Sequence, residues 1–453
     1  MRLRLVVPRR GRRAGLGGLA ALALLAAVGG CGGGDKGSDT APATTAAPAP
    51  AQTQTTPAAP ATPKRPQAET IGDGLAIGLA ENNANLLWAK GQGPQDPQFE
   101  AWRERITALR PHIYRITIDW ANIQPDPSQP ANLAQRSDGC ARGASPCAPY
   151  DGIRDQLRAI KSQQDDGGGF QGMVVFYGVP PWAAAQPKGC ERPNIEPRSR
   201  PINDRGLLGY RRLIRQVAGL AKEIGVEIKW WSVWNEPNGA FFISPQHSAC
   251  APGSPIVSAN VYARLARALD DELHRMPGDQ HLVIGELAGV AEAGRYGTGS
   301  GDFVRALPDD VVCRAEVVSQ HAYATVPGQE TRPGDPVKET EQALHARPCA
   351  NKIPLWITET GIGGPHAGDD RPTGPEALKE QCRALHSQLK RWYEDPRIQA
   401  AFQYTFREDS TFPVGLADAG LTRAYPTYDL LKAWAGDRAP DGPAPKLPDA
   451  CKG

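Results

Sequence analysis

Eight short apolar segments, each followed by a stretch with helical periodicity, constrain the fold of this 453-residue chain more than any other feature. The apolar segments have the length and the β-branched and aromatic content of buried strands. They lie near residues 75–79, 113–120, 172–177, 230–236, 282–287, 315–323, 353–361 and 398–406. Eight strand–helix units in series predict an α/β fold, a closed parallel (β/α)8 barrel with the TIM-barrel architecture.

Two of the predicted strands end in a glutamate. The run Trp230–Trp234 leads through Asn235 into Glu236 and Pro237, and the seventh predicted strand leads into Glu359. Pro237 has no N–H for a strand ladder, so the fourth strand should stop there, with Glu236 biased toward extended backbone. In a parallel barrel the active site forms at the carboxyl ends of the strands. We therefore expect Glu236 and Glu359 to share the mouth of the barrel.

The motifs Trp234-Asn235-Glu236-Pro237 and Ile357-Thr358-Glu359-Thr360-Gly361 together resemble those of the clan A glycoside hydrolases, families 39 and 5 in particular. The resemblance covers roughly residues 72–436. It implies a retaining β-glycosidase in which Glu236 is the acid/base and Glu359 is the nucleophile. Retaining enzymes hold these two carboxyl groups about 5–5.5 Å apart. They also need the first protonated and the second ionised when the reaction starts.

The same resemblance implies roles for four further strand-end residues. Arg115, on the second strand, would keep the nucleophile ionised, with a purely structural ion pair as the alternative. Asn235 would hold the sugar 2-hydroxyl. Tyr323 would donate a hydrogen bond to the nucleophile. His321 is expected to contact the sugar or Tyr323, with a core histidine as the alternative.

Aromatic side chains near the strand ends are candidates for sugar binding, because the apolar C–H faces of sugars stack on aromatic rings. Trp120, Trp182 and Trp234 lie at strand ends or in the loops after strands, and we expect them to form sugar subsites. Many clan members place a Trp at the end of strand eight, where this chain has Gln403-Tyr404-Thr405-Phe406. We expect Tyr404, Phe406 or a loop Trp to take its place.

Other acids and tryptophans have less specific interpretations. Glu81, after strand one, and Glu286, on strand five, are interpreted either as hydrogen-bonding partners of the substrate or as members of structural pairs. Six tryptophans have core-like positions: Trp102, Trp230, Trp231, Trp356, Trp392 and Trp434.

The N-terminus has the pattern of a processing segment. Residues 1–31 begin with a basic stretch, continue with an apolar run too short for a membrane span, and end in Val28-Gly29-Gly30-Cys31. This ending resembles a bacterial lipobox and implies lipidation of Cys31, with an ordinary secretory signal as the alternative. Residues 32–68, rich in Pro, Ala and Thr, predict a disordered tether. The catalytic domain would then span residues 69–453.

The cysteine count favours an exported protein. Of nine cysteines, eight remain once Cys31 is set aside, and an even number is typical of an oxidising compartment. Eight cysteines allow 105 pairings, so the sequence does not determine connectivity. No Cys-x-x-Cys motif points to zinc or redox use. The pairing we favour is Cys140–Cys147, Cys190–Cys250, Cys313–Cys349 and Cys382–Cys451.

Composition narrows the function classes. A net charge of +2 gives no indication of a nucleic-acid partner, and the sequence carries neither a convincing metal site nor a cofactor motif. The combined hypothesis is a lipid-tethered, extracytoplasmic, monomeric β-glycosidase acting on a polysaccharide or oligosaccharide. Two alternatives remain open: a non-catalytic carbohydrate-binding envelope protein, and a transglycosylase on the same barrel.

Overall fold

The computed structural model describes residues 74–168, 170–290, 294–329, 334–364, 370–409 and 412–453. The predicted signal segment at 1–31, the predicted lipidation of Cys31 and the predicted tether at 32–68 lie outside these described residues. Within them, no helix is both long enough and apolar enough to cross a bilayer.

Eight parallel strands close into a barrel in chain order, which confirms the predicted (β/α)8 fold. The first strand pairs with both the second and the eighth, and these pairings complete the ring. The strands are β1 (Ala76–Ala80), β2 (Ile113–Asp119), β3 (Gln171–Tyr177), β4 (Ile228–Ser232), β5 (His281–Leu287), β6 (Val317–His321), β7 (Leu355–Thr360) and β8 (Ile398–Tyr404).

Helices follow the strands and cover the outside of the barrel. They are α1 (Ala84–Leu87), α2 (Pro97–Leu109), α3 (Trp120–Ile123), α4 (Gly152–Gln163), α5 (Asp204–Ile224), α6 (Ser258–Leu273), α7 (Ser300–Ala306), α8 (Asp309–Val312), α9 (Pro336–His345), α10 (Pro375–Tyr393) and α11 (Pro426–Trp434). In α5 the Asn203 side chain caps the first turn by accepting from the Gly206 N–H at 2.7 Å. Such a cap stabilises a helix by about 1 kcal/mol. Gly225 ends the helix in the left-handed conformation that glycine tolerates.

A separate apolar cluster fills the amino-terminal half of the barrel interior. Its largest members, Trp230 on β4 and Trp356 on β7, meet with ring centroids 4.4 Å apart. A Cβ at Gly78 would lie 2.3 Å from the Phe402 ring, so glycine is required where that ring fills the centre. This end of the barrel is therefore closed. The six tryptophans with core-like positions are all buried, as predicted.

Four disulfides have the predicted pairing: Cys140–Cys147, Cys190–Cys250, Cys313–Cys349 and Cys382–Cys451. The second of them joins the loop after β3 to the loop after β4. Structural disulfides persist in oxidising compartments, so these four fit an extracytoplasmic protein.

Candidate active site

Glu236 lies in a tight turn beyond the end of β4. The strand ends at Ser232 and not at Pro237, and Glu236 has φ +39°, so the prediction of extended backbone was wrong. Two hydrogen bonds account for the turn: the Glu236 N–H donates to the Glu286 carbonyl, and its own carbonyl accepts from the Gly239 N–H, each at 2.9 Å. A non-glycine residue rarely adopts positive φ, and such strain is concentrated at functional sites.

Glu359, on β7, is held by one ion pair and one hydrogen bond. Arg115 Nη1 lies 3.0 Å from Glu359 Oε1, and the Tyr323 hydroxyl donates to Oε2 at 2.7 Å. The Arg115 side chain has no exposed surface, and burial together with the nearby Glu359 raises the pKa of Tyr323 well above its ordinary value. Tyr323 therefore stays neutral and keeps its proton as a donor. The Glu359 carboxyl group therefore faces one buried cation and one hydroxyl donor.

His321, the last residue of β6, lies between the two glutamates. Its Nδ1 atom is 2.9 Å from Glu236 Oε1 and 3.4 Å from Glu359 Oε2. A carboxylate oxygen of Glu236, a carboxylate oxygen of Glu359 and a ring nitrogen of His321 all lie within 4.8 Å of one another. The expectation that His321 contacts Tyr323 or sugar did not anticipate this carboxylate pairing. One oxygen of Glu236 therefore lies within 4.8 Å of one oxygen of Glu359, a short gap that fits the retaining spacing of about 5–5.5 Å better than the inverting spacing of about 6.5–9.5 Å.

A third carboxylate, Glu286 on β5, completes the cluster. It is fully buried and accepts from Arg115 Nε at 3.0 Å and Nη2 at 2.5 Å. Its Oε2 atom also lies 3.3 Å from His321 Nε2. Burial alone would raise the pKa of Glu286, but Arg115 and His321 outweigh it and lower that pKa to about 2. Of its two interpretations, the structural pair is the one that fits these contacts.

His321 is positively charged in this setting. Burial lowers the pKa of its imidazole, but Glu359, Glu236 and Glu286 together raise it to about 10. Both ring nitrogens of a protonated histidine are donors, and this matches the carboxylate oxygen on each side. Two cations, Arg115 and His321, therefore face three carboxyl groups. The cluster is neutral when one of those carboxyl groups carries a proton.

The same donor set bears on metal binding. Oxygen atoms from Glu236 and Glu359 and a nitrogen from His321 are close enough to surround a cation. A protonated His321 has no lone pair to offer a metal, however, and Arg115 already neutralises Glu359. The arrangement is suited to holding and moving a proton between carboxylates.

The prediction that Trp120 and Trp234 form sugar subsites was wrong. Trp120 and Trp234 have no exposed surface, and their indole N–H groups donate to Gln124 and to the Phe242 carbonyl at 2.7 and 3.2 Å. A ring without exposed surface cannot stack on a sugar. The reason is that α3 starts at Trp120 and turns its side chain inward. Trp182 packs edge-on against Trp120 but remains partly exposed, and its contact with sugar stays a prediction.

An aromatic wall, consisting of Tyr323, Tyr404 and Phe412, lies beside Glu359. The Phe412 ring is edge-on to Tyr323 and to Tyr404, with centroids 4.8 and 5.8 Å apart. Phe406, the other predicted replacement for the missing Trp, is fully buried and cannot serve. Sequence reasoning missed Phe412 because it lies in the loop after β8, where no periodic pattern identifies its side chain.

Two remaining strand-end residues have clear hydrogen-bond partners. The Asn235 Oδ1 atom accepts from Arg115 Nη2 at 3.0 Å, and this orients the amide so that its nitrogen is the donor left for other groups. Glu81 is buried and accepts from the backbone N–H groups of Asn83 and Arg407 at 2.9 and 3.1 Å. Of the two interpretations for Glu81, the structural one fits, because it joins the loops after β1 and β8.

The chain matches no known family model, and no curated protein sequence resembles it significantly. Solved structures do share its architecture. PbGH5A, a glycoside hydrolase family 5 enzyme from Prevotella bryantii B14, has a TM-score of 0.50 at 16% identity, over 83% of this chain and 100% of that chain. A conserved exported protein from Bacteroides fragilis has a TM-score of 0.53 at 13% identity, over 84% and 83%.

A family 39 glycoside hydrolase from Bacteroides cellulosilyticus WH2 has a TM-score of 0.49 at 16% identity. The alignment covers 81% of this chain but only 64% of that protein. At these identities the likeness concerns the fold. The chain is thus a (β/α)8 barrel of the architecture that clan A glycoside hydrolases share.

Proposed function

We propose that this protein is a retaining β-glycoside hydrolase that cleaves an extracellular or envelope polysaccharide or oligosaccharide. The observation that carries the proposal is the pair Glu236 and Glu359, joined through His321, with carboxylate oxygens within 4.8 Å at the open end of the barrel. Such a short gap favours direct attack by a carboxylate, because inverting enzymes hold their two carboxyl groups farther apart to admit a water.

In the first step a Glu359 oxygen attacks the anomeric carbon. The bond from that carbon to the leaving oxygen breaks, and its electron pair goes to the oxygen, which takes the proton from Glu236. Arg115 and the Tyr323 hydroxyl stabilise Glu359 as an anion before attack. Asn235, oriented by Arg115, is the donor for the sugar 2-hydroxyl, where contacts strengthen in the transition state.

In the second step Glu236 is a carboxylate and takes a proton from water. The water oxygen attacks the anomeric carbon, and the bond to Glu359 breaks with its electron pair returning to that carboxylate. The product keeps the β configuration because two inversions have occurred. Glu236 again carries its proton and the cycle is complete. No cofactor takes part in either step.

Charge balance supports this starting state. Glu286 and Glu359 both contact Arg115, whereas Glu236 contacts only His321 among the two cations. Two positive charges then match two carboxylates, and Glu236 is left as the carboxyl group that the mechanism requires to carry the proton. Its side chain is also the most exposed of the three, at 27%, as expected for the group that must reach a leaving oxygen.

Export to the cell envelope belongs to the same proposal, with Cys31 lipidated and residues 32–68 as the tether. The four disulfides support the compartment. Fractionation of bacteria that express the full chain tests the anchor. The protein should be found with membranes, and a Cys31→Ser variant should be released. Equal release of both proteins would contradict lipidation.

The catalytic test is release of reducing ends from β-glucans, xylans, mannans, galactans and the host envelope polysaccharide. Glu236→Gln and Glu359→Gln serve as matched controls, and NMR of the first product gives its anomeric configuration. Loss of activity in both variants and a retained β product are expected. Activity that survives Glu359→Gln contradicts the mechanism. Glycan binding without turnover by the wild type favours a binding protein, and longer glycan products favour a transglycosylase.

A further inference from the structure

A cleft of about 490 Å³ lies over the ends of β3 and β4, lined in part by Tyr177, Phe241 and Phe242. Its volume is within the range of small-molecule sites, about 300–1,000 Å³. Another hollow of about 630 Å³ lies on the outer helices, where Lys161 and Glu223 contribute to its wall. That hollow lies at the ends of α4 and α5, which lead into the amino-terminal ends of β3 and β4. The other cleft includes Tyr177, the last residue of β3, and so lies at the carboxyl ends of the strands, where the glutamates are.

The cleft is firmly built. The Cys190–Cys250 disulfide joins the two loops that form it, and the Cys190 N–H donates to the His247 carbonyl at 2.8 Å. On its inner side Arg198 pairs with Asp119, the last residue of β2, at 2.7 Å. A site held in this way exists before a ligand arrives, which lowers the entropic cost of binding.

An exposed aromatic ring stands at the edge of the cleft. Phe241 is 68% exposed, and Leu208, on α5, is the other strongly exposed large apolar residue in the part of the chain that the structure describes. The Arg192 guanidinium lies over one face of the Phe241 ring, 4.5 Å from its centroid, so a sugar would stack on the opposite face. An aromatic face with hydrogen-bond donors beside it is the combination that holds a sugar ring by stacking and by its hydroxyl groups.

The chain connects this cleft directly to Glu236. Phe241 follows Glu236 by five residues, a length that spans at most about 17 Å. The Gly239 N–H donates to the Glu236 carbonyl and the Phe242 N–H donates to the Gly239 carbonyl, so the chain doubles back and the distance is shorter. Tyr177, on the opposite wall, directly follows Phe176, whose carbonyl accepts from the N–H of the residue before Glu236.

The two aromatic surfaces lie by different carboxylates. The wall of Tyr323, Tyr404 and Phe412 is beside Glu359, which binds the sugar that stays on the enzyme. The cleft is lined by Phe241 and Phe242, which follow Glu236, the group that protonates the leaving oxygen, by five and six residues. Because the leaving group must contact its acid, it departs on the side of β3 and β4.

We propose that the cleft binds the leaving-group portion of the substrate, and that this portion consists of further sugar units stacked on Phe241. The inference rests on the proposed function and deepens it. The substrate is then a glycan chain that continues past the cleavage point, and not a glycoside of a small alcohol.

The experiment compares two kinds of substrate on the purified full chain. One is whichever of cellohexaose, xylohexaose or mannohexaose is hydrolysed. The other is the β-glycosyl fluoride of the same sugar, whose fluoride leaving group is too small to occupy the cleft. We expect Phe241→Ala to lower the ratio of the two kcat/KM values, hexasaccharide over fluoride, at least tenfold. Leu208→Ala, which removes an exposed apolar side chain elsewhere, should leave the ratio unchanged.

Arg192→Ala is the second variant and should lower the same ratio. An unchanged ratio in both cleft variants, with melting temperatures equal to that of the wild type, overturns the cleft assignment and leaves the proposed function standing. A wild type that hydrolyses none of the five glycans tested for the proposed function, and none of the glycosyl fluorides, contradicts the proposed function itself, and this inference falls with it.

Discussion

His321 Nε2 lies 3.3 Å from Glu286 Oε2, while the other nitrogen of the same ring lies 2.9 Å from Glu236 Oε1. A fully buried carboxylate thus orients the ring that contacts the proposed acid/base, and together with Glu359 and Glu236 it favours the charged form of that ring. Glu286 does not reach the substrate in this arrangement. It is a positioning residue, and it acts through His321 and Arg115.

Replacement of Glu286 by Gln tests that role. The variant keeps the shape of the side chain but removes a negative charge that raises the pKa of His321, so that pKa should fall from about 10. We expect kcat/KM to drop about 100-fold through misplacement of Glu236. The basic limb of its pH profile should also move to lower pH.

The matched control is Glu81→Gln, which alters another buried strand-end glutamate whose partners are the Asn83 and Arg407 backbones. Its pH profile should keep the wild-type basic limb. Equal profiles for the wild type and the Glu286 variant would show that Glu286 has only a structural role.

Stability should depend on pH through the same two groups. The pKa of Glu286 is lowered to about 2 from 4.5, so its contribution is full above pH 4.5 and is lost as the pH falls toward 2. The pKa of His321 is raised to about 10 from 6.5, so its contribution is full below pH 6.5 and is lost as the pH rises toward 10. We expect the free energy of unfolding to be greatest between pH 4.5 and 6.5.

Urea unfolding at several pH values measures this dependence. The acid-side loss that Glu286 causes should be about 3 kcal/mol, and it should be smaller in Glu286→Gln. Superimposable stability curves for the two proteins on the acid side would be the contrary result.

Tyr323→Phe removes the hydroxyl that donates to Glu359 at 2.7 Å. A hydrogen bond to a charged group contributes about 1.5–3 kcal/mol, so kcat/KM should fall about 10- to 100-fold. Steady-state kinetics on the best glycan measures the change. Tyr428→Phe, which removes a hydroxyl bonded to the Arg105 carbonyl on the outer helices, is the control and should keep wild-type rates. Comparable losses in both variants would contradict a specific role for Tyr323.

Phe412 and Phe406 should separate binding from stability. Phe412, in the aromatic wall, is partly exposed, so Phe412→Ala should raise KM severalfold with a small change in melting temperature. Phe406 is buried against Trp102 and Tyr428, so Phe406→Ala should cost about 3–5 kcal/mol of unfolding free energy. Kinetics and thermal melts on both variants check the contrast. A lowered melting temperature with unchanged KM for Phe412→Ala would remove it from the binding surface.

The sequence was informative where the signal is local. Apolar runs of strand length predicted all eight strands. The even number of cysteines indicated disulfides, and the pairing that we favoured agrees with the four that the structure contains. Two strand-end motifs identified Glu236 and Glu359 as neighbours. Each of these features depends on a short stretch of chain or on the order of strands around a closed ring.

Features that depend on contacts between residues far apart in the sequence could not be predicted from the sequence alone. Glu286 and His321 lie on β5 and β6, and nothing in either segment indicates that one fixes the charge of the other. The inward position of Trp120 depends on α3 starting immediately after β2. The left-handed backbone of Glu236 depends on a hydrogen bond to β5, which outweighed the extended bias from Pro237.

The contact between Trp230 and Trp356 crosses the barrel interior, because β4 and β7 are not neighbours in the ring. These are the strands that lead to Glu236 and Glu359. The two indoles therefore act as a spacer between β4 and β7. Trp230 precedes Glu236 by six residues, and Trp356 precedes Glu359 by three. We expect a smaller side chain at either position to leave a cavity that β4 and β7 partly close by moving toward each other. The separation of the two glutamates would then depend partly on two indoles in the closed end of the barrel, which lie outside the carboxylate cluster.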